Sequence, residues 1–239
     1  MLNELKDGRL TVQYLPERIV ATLRNRTWTY PRYLGRVCSL CGNPLEVTNT
    51  TDRCGVCTQC YGFSGVSYVS LYDKEVKNTV RRTIFSLKDG REFFADVMGM
   101  GMSLVLSNEM SRLSLDSILV SVPTHPEDHP DRDYNPPDML ARRIATHSHL
   151  PYRPDTLIKT EPHCQKGFSS SAERFDEILG KFDIISSLDG KTVILVDDLM
   201  TTGATASECA RMCLKGGAAT VRVMLAARNF TLLEDREYG

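Results

Sequence analysis

The stretch 193–205 reads Val-Ile-Leu-Val-Asp-Asp-Leu-Met-Thr-Thr-Gly-Ala-Thr and decides the fold class of this chain. Its first four residues are all apolar and show no alternation, which is typical of a short strand buried on both faces of a parallel sheet. We predict that this strand ends at two adjacent carboxylates, Asp197 and Asp198, and that a Gly/Thr loop then leads into a helix. Ligands of open parallel sheets bind beyond the carboxyl ends of the strands. The stretch therefore predicts an α/β fold with a ligand site at this end of the strand.

The loop of this stretch has the composition of a phosphate site. A loop that opens a helix offers free backbone N–H groups, and its hydroxyl groups and the positive helix end add to the attraction for an anion. Gly203 has no side chain, so the backbone can approach the anion closely. The candidate phosphate-binding residues are Thr201, Thr202, Gly203, Ala204 and Thr205.

The two acids need a different partner, because their negative charges repel a phosphate. Asp197 and Asp198 suit vicinal hydroxyl groups or a bridging Mg²⁺ ion. A phosphate beside a diol describes a ribose 5-phosphate. The other interpretation is a buried strand that happens to end in acids before a turn. That interpretation is disfavoured because strand, acid pair, loop and helix all occur in the right order.

The same stretch closely resembles the phosphoribosyl diphosphate (PRPP) signature of type I phosphoribosyltransferases. The resemblance implies that Asp197 and Asp198 bind the ribose 2- and 3-hydroxyls and lie close to the reacting carbon. It also implies that Thr201 to Thr205 hold the 5-phosphate.

Composition excludes several classes of protein. A chain of 239 residues can bury the core of one α/β domain and carry a small appendage. The net charge of −1 excludes the overall basicity of a dedicated nucleic-acid binder. No apolar run approaches the length of a membrane span, and the first residues lack the apolar core of a signal peptide. We therefore expect a cytoplasmic protein without membrane contact, whose eight cysteines form no disulfide framework.

Five of the cysteines form a cluster near the amino terminus. Two Cys-x-x-Cys pairs are separated by twelve residues, which is a strong pattern for a tetrahedral site with four thiolate ligands. The turn-rich segment between the pairs has no apolar core of its own. A bound metal would stabilise its fold in place of such a core. Cys60 leaves a second register open, in which it displaces Cys54. Free thiols and a redox pair are the disfavoured alternatives. The pattern predicts a structural zinc ion held by Cys38, Cys41, Cys54 and Cys57.

Residues 24–36 combine arginines with aromatic rings. Rings that stack on bases and arginines that contact phosphates are the components of a surface for single-stranded nucleic acid. The alternative, which we favour, is an arm whose rings pack on the domain while its arginines face water. The residues concerned are Arg24, Arg26, Trp28, Tyr30, Arg32, Tyr33 and Arg36.

Apolar patterns along the rest of the chain predict alternating strands and helices. Predicted strands cover 66–72, 117–122, 157–158, 193–196 and 221–226. Predicted helices cover 73–88, 91–107, 172–182 and 205–215, with another that starts near Pro137. Cys209 and Cys213, one turn apart in the last helix, are expected in the core. The alternation from residue 116 onward predicts a doubly wound, mostly parallel sheet. The predicted organisation is an arm at 1–36, a zinc-ribbon-like knuckle at 37–65 and an α/β domain at 66–239.

The combination of these features over residues 38–228 resembles the ComF-like phosphoribosyltransferases, whose founding members take part in DNA uptake during competence. The resemblance implies a type I phosphoribosyltransferase fold and PRPP bound with Mg²⁺. Arg132, Lys166 and Arg174 are our candidates for binding the leaving diphosphate. The matched positions are Lys88, Gly90, Pro123, Arg132, Asn135, Gln165, Gly167, Ser169, Arg174 and the stretch 197–205.

Two regions depart from the family pattern. The loop after the strand 117–122 is usually basic in the family, whereas here it carries Asp131 and Asp133, with Glu127 and Asp128 upstream. These acids must bind Mg²⁺ or turn away, because bare carboxylates would repel a diphosphate. Thr201 lies where purine-specific members place an acid, and a hydroxyl is no general base near neutral pH. This residue disfavours a purine acceptor.

We therefore predict Mg²⁺-dependent PRPP binding and transfer of the phosphoribosyl group to an unknown acceptor, with release of pyrophosphate. The alternative is a non-catalytic accessory protein that senses PRPP or handles single-stranded DNA through the 24–36 arm. A thiol oxidoreductase is a third interpretation. The sequence leaves open the acceptor and the oligomeric state, for which a homodimer is one option.

Overall fold

The computed structural model describes residues 62–72, 79–109, 113–163 and 171–229. Several predictions fall outside these residues and stay predictions. They are the 1–36 arm, Lys166 and the zinc ligands Cys38, Cys41, Cys54 and Cys57.

Strands and helices alternate along the described chain. The elements are β1 (Val66–Tyr72), α1 (Thr79–Lys88), α2 (Glu92–Glu109), β2 (Ser117–Ser121), α3 (Pro136–Ser148), β3 (Leu157–Lys159), α4 (Ser171–Ile178), β4 (Phe182–Ile184), β5 (Thr192–Met200), α5 (Ala204–Lys215) and β6 (Thr220–Asn229). Short 3₁₀ helices cover Pro126–Asp128 and Pro154–Thr156. The predicted strands 66–72 and 117–122 are confirmed to within one residue, and α1 ends at Lys88 as predicted.

The central sheet has the strand order β1-β6-β5-β2, and all its pairs are parallel. In β5, Val193 and Leu195 pack with α5 on one face of the sheet. Ile194 and Val196 pack with α2 and α3 on the other face. Both faces of β5 are therefore covered, which explains its unbroken apolar run. The predicted α/β fold with a mostly parallel, doubly wound sheet is confirmed.

The strand predicted at 157–158 does not join this sheet. It forms β3, which pairs antiparallel with β4 in a separate two-stranded sheet. The helix predicted at 172–182 was too long, because it ends at Ile178 and a turn follows in which Gly180 has a φ of 79°. Phe182 is then buried as the first residue of β4. The apolar residues at the end of the predicted helix thus belong to a strand.

The strand that carries the acid pair is longer than predicted. The ladder between β5 and β6 continues beyond the acids, with Leu199 opposite Ala227 and Met200 opposite Arg228. Asp197 and Asp198 therefore lie within a strand and not at its end. The ladder with β6 holds the backbone of this pair, with Asp197 opposite Leu225 and Leu199 opposite Ala227, whereas the ladder with β2 ends at Val196.

Two further predictions concern the core and the membrane. Cys209 and Cys213 are fully buried on α5, as predicted. Burial raises the pKa of Cys209 well above its usual value and that of Cys213 to about 12, so neither thiol is reactive near neutral pH. In the part of the chain that the structure describes, no helix is both long and apolar enough to cross a membrane.

Residues 62–65, at the end of the predicted knuckle module, pack against the α/β domain. Phe63 is buried in the core beside β6 and α5. The Ser64 N–H donates to Val221 O at 2.8 Å, and Val223 N–H donates to Gly65 O at 2.9 Å. This segment leads directly into the edge strand β1.

Candidate active site

Asp197 and Asp198 form a buried acid pair near the carboxyl end of β5. Each residue is less than one tenth exposed. Asp197 Oδ1 accepts a hydrogen bond of 2.8 Å from the Asp198 N–H. Burial, and after it the negative charge of Asp198, raises the pKa of Asp197 well above its usual value. Such a pair favours partners that donate hydrogen bonds or carry positive charge.

A cation already lies beside this pair. Lys88 Nζ, at the end of α1, is 3.4 Å from Asp198 Oδ2. Among the described residues, no group donates a hydrogen bond to this buried oxygen. Asp198 Oδ2 therefore has an ion-pair partner, while its capacity to accept a hydrogen bond is unused among the described residues.

The predicted phosphate loop follows directly. Gly203 caps α5 with a φ of 86°, in the left-handed region that favours glycine. Thr202 is buried, and its Oγ1 accepts a hydrogen bond of 3.4 Å from the Ala204 N–H. Ala204 and Thr205 begin the helix, where backbone N–H groups lack partners within the helix. This is the geometry of an anion site at a helix N-terminus.

Arg228 holds the start of the loop through hydrogen bonds to its backbone. It was not predicted as a site residue. Its guanidinium is fully buried at the end of β6. Nη1 donates to Met200 O at 2.9 Å, and it also donates to Thr201 O. These bonds hold the backbone where β5 turns into the loop. The available signal in the sequence was an arginine at the end of the otherwise apolar run of β6.

The opposite wall of the site consists of the loop that connects β2 to α3, together with Lys88 at the end of α1 and Lys159 on β3. Asn135 Nδ2 donates to Val122 O at 2.8 Å, which closes the loop at its base. The Tyr134 hydroxyl donates to Lys88 O at 2.6 Å. A Cβ atom on Gly90, whose φ is 73°, would lie 2.6 Å from Tyr134 Cε1. The loop is thereby packed against the end of α1.

The one acid of this wall that lines the cleft, among the described residues, is Asp128, and its charge is neutralised by a lysine. Asp128 Oδ2 lies 2.5 Å from Lys159 Nζ, and both side chains are buried. Asp128 Oδ1 also accepts a 2.7 Å hydrogen bond from the His163 N–H. Burial alone would raise the pKa of Asp128, but these hydrogen bonds outweigh it and hold that pKa below its usual value. The remaining acids are exposed and are not among the described residues that line the cleft; they are Glu127, Asp131 and Asp133.

The two walls enclose a cleft of about 180 Å³. Its polar lining includes Lys88, Thr124, Asp128, His129, Arg132, Lys159, His163, Asp197, Asp198 and Thr205. Arg132 stacks over Tyr134, with 5.7 Å between the guanidinium carbon and the ring centroid. Burial, and after it the charge of Arg132, lowers the pKa of His129, which is thus neutral near pH 7.

Of the predicted site residues, the structure brings Asp197, Asp198, Thr205 and Arg132 to this cleft. Arg174 is half-buried on α4 and is not among the described residues of the lining. The other residues of the predicted phosphate loop are also not among them; they are Thr201, Thr202, Gly203 and Ala204. Sequence reasoning missed Lys159, His129 and His163. The sequence carried no signal for Lys159, because in this short strand the apolar Ile158 is exposed and the charged Lys159 is buried.

The described residues contain no group of three or more metal-ligating side chains that could hold a metal ion by themselves. The acid pair supplies two carboxylates, and one of them already faces Lys88. These donors fit a Mg²⁺ ion that arrives with most of its oxygen ligands on a diphosphate.

No protein-family model matches the chain. It is similar to the DNA utilization protein YhgH of Escherichia coli, with 29% identity over 116 residues, which cover 48% of this chain and 51% of that protein. YhgH of Salmonella typhimurium is 27% identical over 125 residues, or 52% of this chain and 55% of that protein. The chain thus spans about half the length of these relatives. Competence protein ComFC of Bacillus subtilis is 29% identical over 195 residues, which cover 78% of this chain and 75% of that protein.

Two solved structures are also similar. Phosphoribosylpyrophosphate synthetase from Mycobacterium smegmatis aligns with 54% of this chain and 32% of its own, at 14% identity and a TM-score of 0.33. A hypoxanthine phosphoribosyltransferase from Staphylococcus aureus aligns with 72% of this chain and 70% of its own, also at 14% identity and a TM-score of 0.33. Together with the motifs in residues 38–228, the similarity to YhgH and ComFC confirms the resemblance of this chain to the ComF-like phosphoribosyltransferase family.

Proposed function

We propose that the protein binds PRPP with Mg²⁺ and transfers its phosphoribosyl group to an acceptor, with release of pyrophosphate. The observation that carries this proposal is the juxtaposition of a buried acid pair with a helix-terminal loop built around Gly203. The pair suits a diol and the loop suits a phosphate, which are the two ends of a ribose 5-phosphate. The cations of the opposite wall suit the diphosphate.

In the proposed reaction, the bond between the anomeric carbon and the diphosphate oxygen breaks, and its electron pair leaves with the diphosphate. A lone pair of the acceptor forms the new bond to that carbon, and the acceptor then loses a proton. Asp197 and Asp198 accept hydrogen bonds from the two hydroxyls and lie near the positive charge that develops on the ring. The loop 201–205 fixes the 5-phosphate and thereby positions the ring.

The leaving diphosphate needs cations that are not already neutralised by the acids of the site. Arg132 meets this condition best, because it lines the cleft and stacks on Tyr134. Lys159 is paired with Asp128 and contributes mainly by cancelling the charge of that acid. Lys166 and Arg174 remain candidates from the sequence for binding the diphosphate, although Arg174 lies on α4 and outside the described lining of the cleft.

Calorimetry with PRPP and Mg²⁺ tests binding, and pyrophosphate release with a panel of bases and amines tests turnover. We expect saturable binding and release of pyrophosphate with at least one acceptor. Arg132→Met should weaken PRPP binding more than ribose 5-phosphate binding, because only PRPP carries the diphosphate. Arg153→Met, at an exposed arginine outside the lining, is the matched control. Absence of binding at millimolar PRPP and Mg²⁺ would overturn the proposal.

We also propose that Cys38, Cys41, Cys54 and Cys57 hold one structural zinc ion. The support is the spacing of the two Cys-x-x-Cys pairs. Cys38→Ser should lower the zinc content of the purified protein, whereas Cys209→Ser at the buried core position should leave it unchanged. Cys60→Ser distinguishes the two registers. A Cys54→Ser/Cys57→Ser variant with its full zinc content would contradict this ligand set.

The names of the relatives favour a second candidate function. YhgH is called a DNA utilization protein and ComFC a competence protein. A role in handling single-stranded DNA through the 24–36 arm predicts salt-sensitive binding to an oligonucleotide. Changing its four arginines to alanine should abolish that binding and leave PRPP binding intact. A wild-type protein that binds no oligonucleotide at low salt would remove this candidate.

A further inference from the structure

Lys88 reaches the acid pair from an element outside the 193–205 stretch. It is the last residue of α1, and its Nζ lies 3.4 Å from Asp198 Oδ2. The side chain of Asp198 is 10% exposed and that of Lys88 is 36% exposed. The ammonium group therefore stands at the boundary between the buried carboxylates and the solvent of the cleft.

The position of Lys88 is set by the backbone around it. The Tyr134 hydroxyl donates to Lys88 O at 2.6 Å. The Tyr134 ring also packs on Gly90, where any side chain would collide with it. The end of α1 is thus fastened to the wall loop that carries Arg132. The contact between Lys88 and Asp198 is consequently a built part of the cleft.

The charges of the site require such a cation. Two adjacent buried carboxylates would repel every phosphate group of a ligand, and the repulsion is strong where water is excluded. Lys159 cannot relieve it, since it is already bound to Asp128. Lys88 lines the same cleft as the acid pair and contacts Asp198 directly.

We propose that Lys88 is a ligand-binding residue of this cleft, whose ammonium balances the charge of Asp197 and Asp198 and so admits an anionic sugar phosphate beside them. The inference rests on the proposed function and adds a residue from α1 to the machinery that binds the ligand. It predicts that the charge at position 88, and not the bulk of the side chain, controls affinity.

The test uses Lys88→Met, which keeps most of the apolar stem and removes the charge. Affinity for ribose 5-phosphate and for PRPP is measured by calorimetry at two salt concentrations. We expect binding of both ligands to weaken about 10- to 100-fold, in the range of one charge-assisted contact. The salt dependence of binding should also become weaker, which a purely structural role would not produce. Lys88→Arg should recover much of the affinity.

Arg82→Met is the matched control, because it removes a cation from an exposed position of the same helix. Its affinities should stay within about twofold of the wild type, since an exposed charge outside the cleft is screened. Lys88→Gln provides a second neutral variant in case the methionine disturbs folding.

The outcomes separate this inference from the proposed function. Wild-type affinity for PRPP in both Lys88→Met and Lys88→Gln would overturn the inference and leave PRPP binding standing. A wild-type protein that binds ribose 5-phosphate but not PRPP would defeat the proposed function, and the role of Lys88 would still be decided with ribose 5-phosphate. A protein that binds neither ligand would overturn both.

Discussion

The two walls of the cleft are built in different ways. One wall is a continuous stretch of sequence that runs from β5 through the loop 201–205 into α5. The other wall brings together Lys88, Arg132 and Lys159 from three separate segments of the chain. The continuous wall carries buried acids and backbone N–H groups, whereas the assembled wall carries cations. The acids and the loop thus come from one local motif, whereas the opposing charges are brought there by tertiary contacts.

The largest effect is expected when the buried ion pair between Asp128 and Lys159 in the assembled wall is broken. Lys159→Met would leave Asp128 buried without its cation, which costs about 3 kcal/mol or more when such a pair is broken. For a chain of this size, this lowers the thermal midpoint by roughly 6–12 °C. Differential scanning calorimetry near pH 7 measures it. Lys191→Met, which breaks the more exposed ion pair with Asp116, should change the midpoint far less.

The same ion pair predicts a pH dependence. The folded-state pKa of Asp128 is lowered, so its contribution to stability is present above the unfolded-state value of about 3.9 and is lost as the pH falls through the folded value. The difference between wild type and Lys159→Met should therefore shrink as the pH is lowered below about 4. Adding Asp128→Asn to Lys159→Met should restore part of the stability at neutral pH. A Lys159→Met protein as stable as the wild type would show that the wall needs no such pair.

The next effect concerns the continuous wall and its ligand. PRPP at one hundred times its dissociation constant stabilises the folded state by about 2.7 kcal/mol, or roughly 5–10 °C. Asp197→Asn combined with Asp198→Asn keeps the shape but removes the charges that accept strong hydrogen bonds, and should abolish most of this shift. Asp176→Asn, at an exposed acid on α4, is the control. A full shift in the double variant would place the ribose elsewhere.

The contrast between the walls also explains what the sequence could predict. Unbroken apolar runs and helix periodicity indicated β5, α5 and the parallel sheet, because each signal is confined to one segment. The pairing of β3 with β4 could not be inferred, since Leu157 to Lys159 is too short to show which strand it joins. The pairing of Asp128 with Lys159 was equally hidden, because it joins residues 31 positions apart. In the sequence, the acids of this wall conflicted with the expected binding of a diphosphate. The fold removes the conflict at Asp128 by pairing it with Lys159.

A smaller effect is expected from Asp197 in the protein without ligand. Its raised pKa means that its contribution to stability is fully present below the unfolded-state value of about 3.9 and is lost as the pH rises through the folded-state value. At neutral pH the charged form therefore costs stability. Asp197→Asn should raise the thermal midpoint by about 2–4 °C, corresponding to roughly 1 kcal/mol. Measured against pH, the gain should vanish below about pH 4. A lower midpoint at neutral pH would mean that the ion pair of Lys88 with Asp198 depends on the charge of Asp197.

An effect of similar size and opposite sign is expected at the contact that fastens the assembled wall to α1. Tyr134→Phe removes the hydroxyl that donates to Lys88 O and keeps the ring that packs on Gly90. One such hydrogen bond contributes about 1 kcal/mol, so the midpoint should fall by roughly 2–4 °C. Tyr134→Leu also removes the ring on which Arg132 stacks, and should lower the midpoint further. If Tyr134→Phe lowers PRPP affinity as well, the hydroxyl holds Lys88 in the position that the ligand requires. An unchanged midpoint and affinity would show that ring packing alone joins this wall to α1.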